Sequence, residues 1–387
     1  MKSWSRTWTT AVVSTVASTL VLAGCGAGQA QQPAAGSGAV TEPVAVTYDG
    51  GIFVLDGKTL EVKNDVKLAG FNRLNAAGDD KHVMVSTSGG FRVLDAAAGK
   101  LTDIEFPGAE PGHVVRHAGR TVLFTDGTGE ARVLDPSTLA SAERKVETYK
   151  APEPHHGVAI ELKNGELVST LGNKDKRVGI QVLDKSRKEI TRNEDCPGVH
   201  GEATAKDEVV VIGCQNGVLI YRNGAITKVN SPTKYGRIGN QAGSDHSPVV
   251  LGDYKQDPDA ELERPTQISL IDTTTGTLKL VDLGASYTFR SLARGPQGEG
   301  LVLGTDGKIH VIDPVKAEVT RTIPVTDSWQ EPLEWQQARP AIFVRGGTAY
   351  VTDPNKQQLH RIDLAEGKIT ATASLAQKPN ELSGASH

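Results

Sequence analysis

Short apolar runs rich in Val and Ile alternate along the chain with turns of Gly, Asn and Asp, and one phrase keeps returning with changes. It reads FVLD ending at Asp56, RVLD at Asp95 and again at Asp135, QVLD at Asp184, VLIY at Tyr221, SLID at Asp272, HVID at Asp313 and HRID at Asp363. Successive copies lie about 37 to 51 residues apart. Another short strand and turn precede each copy, as in VMVSTSGG, VLFTDGTG, LVLGTDG and AYVTDP. A Gly-bearing turn and a fourth strand follow most copies, as in TLKLVDL. Four strands per period of about 43 residues predict an all-β protein, a β-propeller. One such sheet cannot bury both faces by itself, and packing the sheets around an axis buries them.

The phrase predicts eight four-stranded blades, or seven if one long unit is wrongly divided. The first unit starts near Ala45 with a second strand and lacks an inner one. The closing string Asn380-Glu381-Leu382-Ser383-Gly384 resembles Asn72-Arg73-Leu74-Asn75, which opens the second unit. The C-terminal strand is therefore expected in the first blade, closing the ring and removing two exposed edges.

Inner strands line a propeller's channel, so equivalent positions on them form a ring at one depth. In successive units these positions fall near Asn72, His113, His156, His200, Asn240, Arg290, Gln336 and Asn380 or Glu381. Three are histidines, on three consecutive blades. Of the 10 histidines, His113, His117, His155, His156 and His200 sit in or beside the strings PGHVVRHAG, HHGVAIEL and VHGEATA. Neutral imidazole is a good zinc ligand, and three from neighbouring blades fit three corners of a tetrahedron. Glu110, Glu202, Asp245 and Glu381 are carboxylates near the ring, and His246 is an additional candidate ligand. A polar, water-filled channel is the alternative reading. His82, His310 and His360 fall on second or third strands and are expected at the surface.

Composition adds exclusions. The 387 residues carry 42 Lys and Arg against 46 Asp and Glu, a net charge of -4, where a nucleic-acid binder should show a basic face. With 42 Gly and 19 Pro, long helices would be broken too often for a helical bundle. The N-terminus reads as an export signal over residues 1–24. Lys2 and Arg6 precede the apolar run TAVVSTVASTLVLA, and Leu22-Ala23-Gly24-Cys25 resembles the lipobox of bacterial lipoproteins. Cys25 would then carry the lipid, and residues 25–42 would form a flexible tether to a propeller domain at 43–387. The protein is thus expected outside the cytoplasm, lipid-anchored to the outer face of a bacterial cell membrane. In that oxidising compartment the remaining cysteines, Cys196 and Cys214, are expected to form a disulfide, with metal ligation as the rival role.

Taken together, the strings FPGAEPGHVVRHAGRTVLF, HHGVAIEL, NEDCPGVHGEATA, YGRIGNQAGSDHSPVVLGDY and SYTFRSLARG resemble the AztD family of exported zinc metallochaperones, over most of residues 45–385. The resemblance implies a propeller that binds Zn²⁺ and passes it to the zinc-binding component of an ABC importer. Only the GHVV, HHG and VHGE strings are matched residue by residue, giving His113, His156 and His200, with His117 and His155 adjacent. One departure is plain: residues 26–42 contain no His.

Three function classes follow. The first is a zinc-binding carrier without bond-making chemistry. The second is a metal-dependent propeller hydrolase acting on lactones, with Asn72, Asn240, Glu202 and Glu381 as a partial oxygen ring. The third is a metal-free interaction scaffold. Gly-x-Ser-x-Gly, His-Glu-x-x-His, Walker and dinucleotide motifs are all missing from the sequence.

Overall fold

The structure is a computed structural model that describes residues 40–386. The expected signal segment, Cys25 and most of the tether lie outside the described residues. The rest forms eight four-stranded antiparallel sheets arranged as an eight-bladed β-propeller. Numbering the blades in chain order, the inner strands of blades 2 to 8 are Arg73–Ala76, Pro111–His117, Ala159–Glu161, His200–Ala205, Gln241–Ala242, Leu292–Arg294 and Ile342–Arg345. The second and third strands are nearly continuous apolar runs because a neighbouring blade covers each face, as in Val209–Cys214, where every residue is buried. Each fully buried Val, Leu or Ile contributes about 1.5–3 kcal/mol. Fourth strands lie at the rim and alternate, with Thr277–Asp282 half-buried and exposed in turn until Val281.

The aspartate that ends the repeated phrase has a local cause. Asp56 Oδ1 accepts from the backbone N–H groups of Lys58 and Thr59 at 3.0 and 2.9 Å. Asp272, Asp313 and Asp363 each accept two such bonds in the same way. The carboxylate thus replaces backbone partners in the turn to the fourth strand. Blade 5 departs by one residue. Its third strand is Gly217–Arg222, so Arg222, not Tyr221, takes the aspartate position. The turn there is the two-residue hairpin Asn223-Gly224, with φ of 46° and 84°, which makes its own connection without a capping carboxylate.

Blade 1 closes as the sequence predicts. Leu382–Gly384 pairs antiparallel with Pro43–Tyr48, matching Val44 to Gly384 and Val46 to Leu382. Thr47 extends the seam: its N–H donates to the Glu381 carbonyl at 2.9 Å, and its carbonyl accepts from Asn380 N–H at 2.8 Å. Arg345 of blade 8 clamps the join by donating to the carbonyls of Pro43 and Ala385 at 2.8 and 2.6 Å. Cys196 and Cys214 are bonded and fully buried, joining the segment that enters blade 5 to the end of its second strand.

Three histidines expected at the surface are instead buried. His82 is bonded to Asp79 at 2.6 Å, His310 approaches Asp306 at 3.2 Å and His360 meets Thr372 at 2.9 Å. Second and third strands are covered by adjacent blades, and each ring finds its polar partner on a neighbouring turn or strand. Gln336 is also displaced from its expected ring position. It lies exposed in the loop before Ile342–Arg345, where its carbonyl accepts from Asn380 Nδ2 at 2.9 Å, and Arg339 is buried between it and the strand.

Deleting residues 376–387 removes the closing strand and should lower Tm by roughly 5 °C or more, read by circular dichroism on the mature domain. An unchanged Tm would show that the closure contributes nothing. Replacing Cys196 and Cys214 by Ala should reduce unfolding free energy by about 2–4 kcal/mol in a denaturant titration.

Candidate metal centre

His113, His156 and His200 converge at one mouth of the channel. Each offers a ring nitrogen, and these atoms lie within 4.8 Å of one another. The ring centroids are 5.4 Å apart for His113 with either partner and 4.9 Å for His156 with His200. Three Zn–N bonds of about 2.0–2.1 Å at tetrahedral angles set nitrogens about 3.4 Å apart.

None of the three comes from a regular stretch of strand. His113 sits where the pairing of Pro111–His117 with its neighbour slips register. His200 starts a second irregularity, where Gly201 at φ 73° intervenes before Glu202 resumes pairing. His156 precedes Ala159–Glu161 altogether. Such irregularities re-aim side chains that a straight strand would send elsewhere.

Each imidazole faces an oxygen atom from another blade at its Nδ1. His156 Nδ1 lies 2.5 Å from Asp126 Oδ2, in the hairpin of blade 3. His200 Nδ1 lies 2.6 Å from the Gly239 carbonyl, at the entry to blade 6. His113 Nδ1 is 3.6 Å from Glu202 Oε2 in blade 5, longer than a hydrogen bond but within ion-pair reach. A carbonyl only accepts, so His200 carries its proton on Nδ1 and leaves the Nε2 lone pair free. The Asp126 carboxylate favours the same tautomer in His156. The braces are themselves held. Asp253 accepts from Gly239 N–H at 2.6 Å, and Asp126 sits so tightly on Gly112 that any side chain there would collide with its carboxylate.

Burial pushes the His200 pKa well below the ordinary imidazole value, with further lowering by the charges of His113, Arg237 and His156. His200 is therefore neutral, and able to ligate, at neutral and mildly acid pH. Beyond the histidines the channel holds a space of about 180 Å³ lined by Arg73, Asn75, His113, Glu202 and Gln241. A space of about 350 Å³ at the other end is lined by Arg116, His117, Glu202 and Asp245.

The secondary candidates do not join the cluster. His155 points between blades rather than into the channel. It is buried, with both ring nitrogens bonded at 2.9 Å, to the Glu153 carbonyl and the Thr170 hydroxyl. His117 lies at the far end of Pro111–His117, bonded to Glu208 at 2.8 Å. His246 is exposed in the turn beyond Gln241–Ala242. Among the carboxylates, Glu381 pairs with Arg290 at 2.6 Å and Asp245 lines the opposite end. Glu110 contributes its backbone carbonyl, which accepts from Asp126 N–H at 2.9 Å. Asp126 itself went unread in the sequence, where TDGTG looks like any other hairpin tip; its signal was that such tips reach the same mouth as the inner-strand starts.

A curated relative, the zinc chaperone AztD of Citrobacter koseri, is 27% identical over 296 residues, spanning 74% of this chain and 68% of its own. The chain is similar to AztD. A solved structure of apo AztD from the same organism superposes with a TM-score of 0.77 at 24% identity, covering 89% of this chain and 98% of that one, and so agrees in fold. The dihydro-heme d1 dehydrogenase NirN shares the fold more distantly, with a TM-score of 0.61 at 14% identity over 91% of this chain and 77% of its own. No protein-family model matches the chain.

Replacing Asp126 by Asn keeps the shape and removes the charge behind His156. Zinc affinity should fall about 10- to 100-fold in a competition titration with a chromogenic chelator, with Tm little changed.

Proposed function

We propose that the chain is an extracytoplasmic zinc carrier that holds Zn²⁺ on His113, His156 and His200 and delivers it to the zinc-binding component of an ABC importer. The observation that carries this reading is the set of three imidazoles whose ring nitrogens lie within 4.8 Å of one another, with Nδ1 of His156 and of His200 bonded to oxygens. The similarity to a protein named as a zinc chaperone supports the same assignment. The arrangement suits carriage. Imidazoles bind zinc without redox change, and the cysteines that would form a less exchangeable thiolate site are tied up in a disulfide. A zinc ion on three protein ligands keeps one coordination position for an incoming donor.

Lipidation at Cys25 and attachment to the outer face of the cell membrane complete the proposal. Val40 N–H donates to the Ala97 carbonyl in the turn between the third and fourth strands of blade 2. That turn joins a third strand to a fourth, at the blade end away from the Asp126 hairpin, which joins a second strand to a third.

His156→Ala and His200→Ala should each weaken zinc binding by more than about 100-fold in chelator competition. On mixing zinc-loaded protein with the importer's binding protein, the metal should move faster than it dissociates into free chelator. Variants that bind like the wild type would refute the ligand set. Transfer no faster than dissociation would refute the carrier role.

A further inference from the structure

Some of the buried and half-buried arginines of this propeller are well supplied with acceptors. Arg339 donates to Glu331 and to the carbonyls of Glu334 and Gln337. Arg294 reaches the carbonyls of Ala242, Val249 and Gly298. Two half-buried arginines beside the histidine mouth are less well supplied. Arg177 begins the third strand of blade 4, and its Nη1 is buried without a hydrogen-bond partner. Arg237 enters blade 6, its backbone fixed by reciprocal bonds with Lys255 at 2.8 and 2.9 Å. Among the described residues neither guanidinium meets a carboxylate at ion-pair distance.

Both arginines belong to the supports of His200. The Arg177 carbonyl accepts from Gly198 N–H at 2.9 Å, two residues before His200. The Arg237 guanidinium lies against Gly239, whose carbonyl braces His200, and a side chain on Gly239 would collide with it. The two are electrostatic neighbours. Burial lowers the Arg177 pKa and the Arg237 charge lowers it further, while Asp126 acts in the other direction. Asp126 supplies one negative charge against two guanidinium charges, and its oxygens are also bonded by His156 and by Gly157 N–H.

Two guanidinium charges that exceed the single charge of Asp126, beside a cation site, oppose the cation by Coulomb repulsion. They also present planar donor forks suited to a carboxylate. We propose that Arg177 and Arg237 form a carboxylate-binding rim, which completes the coordination of zinc with an oxygen from outside the chain. One carboxylate oxygen occupies the fourth position on the metal and the other is held by guanidinium. The inference rests on the zinc reading above. The carboxylate comes either from a small free acid or from an acidic side chain of the protein that exchanges zinc with this one.

The experiment uses the mature domain loaded with Co²⁺, whose visible bands report the ligand set. In carboxylate-free buffer, Arg177→Gln/Arg237→Gln should bind cobalt about fivefold more tightly than the wild type, because the repulsion is relieved. Acetate added at constant ionic strength should shift the wild-type bands saturably, and the double variant should need at least about tenfold more. Arg177→Lys/Arg237→Lys keeps the charges without the fork, and circular dichroism verifies folding of both variants. A wild-type shift with acetate identifies the small acid as the source. A shift seen only with the importer's binding protein, and lost in the Gln variant, identifies the protein carboxylate. No shift with either, or an equal shift in wild type and Gln variant, overturns the rim. No cobalt spectrum in the wild type overturns the zinc reading, and the rim falls with it.

Discussion

The pairing of Leu382–Gly384 with Pro43–Tyr48 is the constraint on which the rest of the molecule depends. A propeller blade has little to hold it except its two neighbours, so an open ring would leave two blades with uncovered faces. The closure involves residues more than 300 positions apart in the chain, and it is reinforced by Thr47, Glu381 and the Arg345 clamp rather than by strand pairing alone. The histidine site inherits this dependence. His156 is oriented from blade 3, His200 from blade 6 and His113 from blade 5, so no blade contains both an imidazole and the group that aims it.

The site is built from backbone irregularities held rigidly. Two register slips and one pre-strand segment bring the three rings together, where regular strands would have spread them along the channel wall. What fixes the geometry is a chain of acceptors: Asp253 holds Gly239, which holds His200, and the Glu110 backbone holds Asp126, which holds His156. The disulfide acts on the same segment by tying Cys196, four residues before His200, to the end of the neighbouring strand. The site is thereby ordered before a ligand arrives, and less conformational entropy is lost on binding.

Much of this was legible in the sequence because repetition carries geometry. The Asp-ended phrase marked third strands since each Asp performs the same turn chemistry, and equivalent inner-strand positions delivered His113, His156 and His200. Reading failed where one unit broke the pattern. Tyr221 stood one residue off because blade 5 replaces the Asp turn with Asn223-Gly224, and Gln336 was misplaced because a long loop precedes blade 8. The direction of individual rings was also beyond reach. His155 and His156 are adjacent, yet one enters the blade interface and the other the channel mouth. Asp126 escaped notice because a brace is defined by the residue it touches, and nothing in a hairpin tip names its partner on the next blade.

The three histidines come from consecutive blades rather than from positions spread evenly around the axis. An ion held by them would sit against one wall of the mouth, with the opposite side of the opening unoccupied by its ligands. A donor group approaching from that side could bond to the metal before any imidazole left. Exchange would then follow an associative course, its rate set by the concentration and shape of the incoming partner. A site with ligands disposed all around the axis would have to lose one first, and its exchange rate would be indifferent to who was waiting.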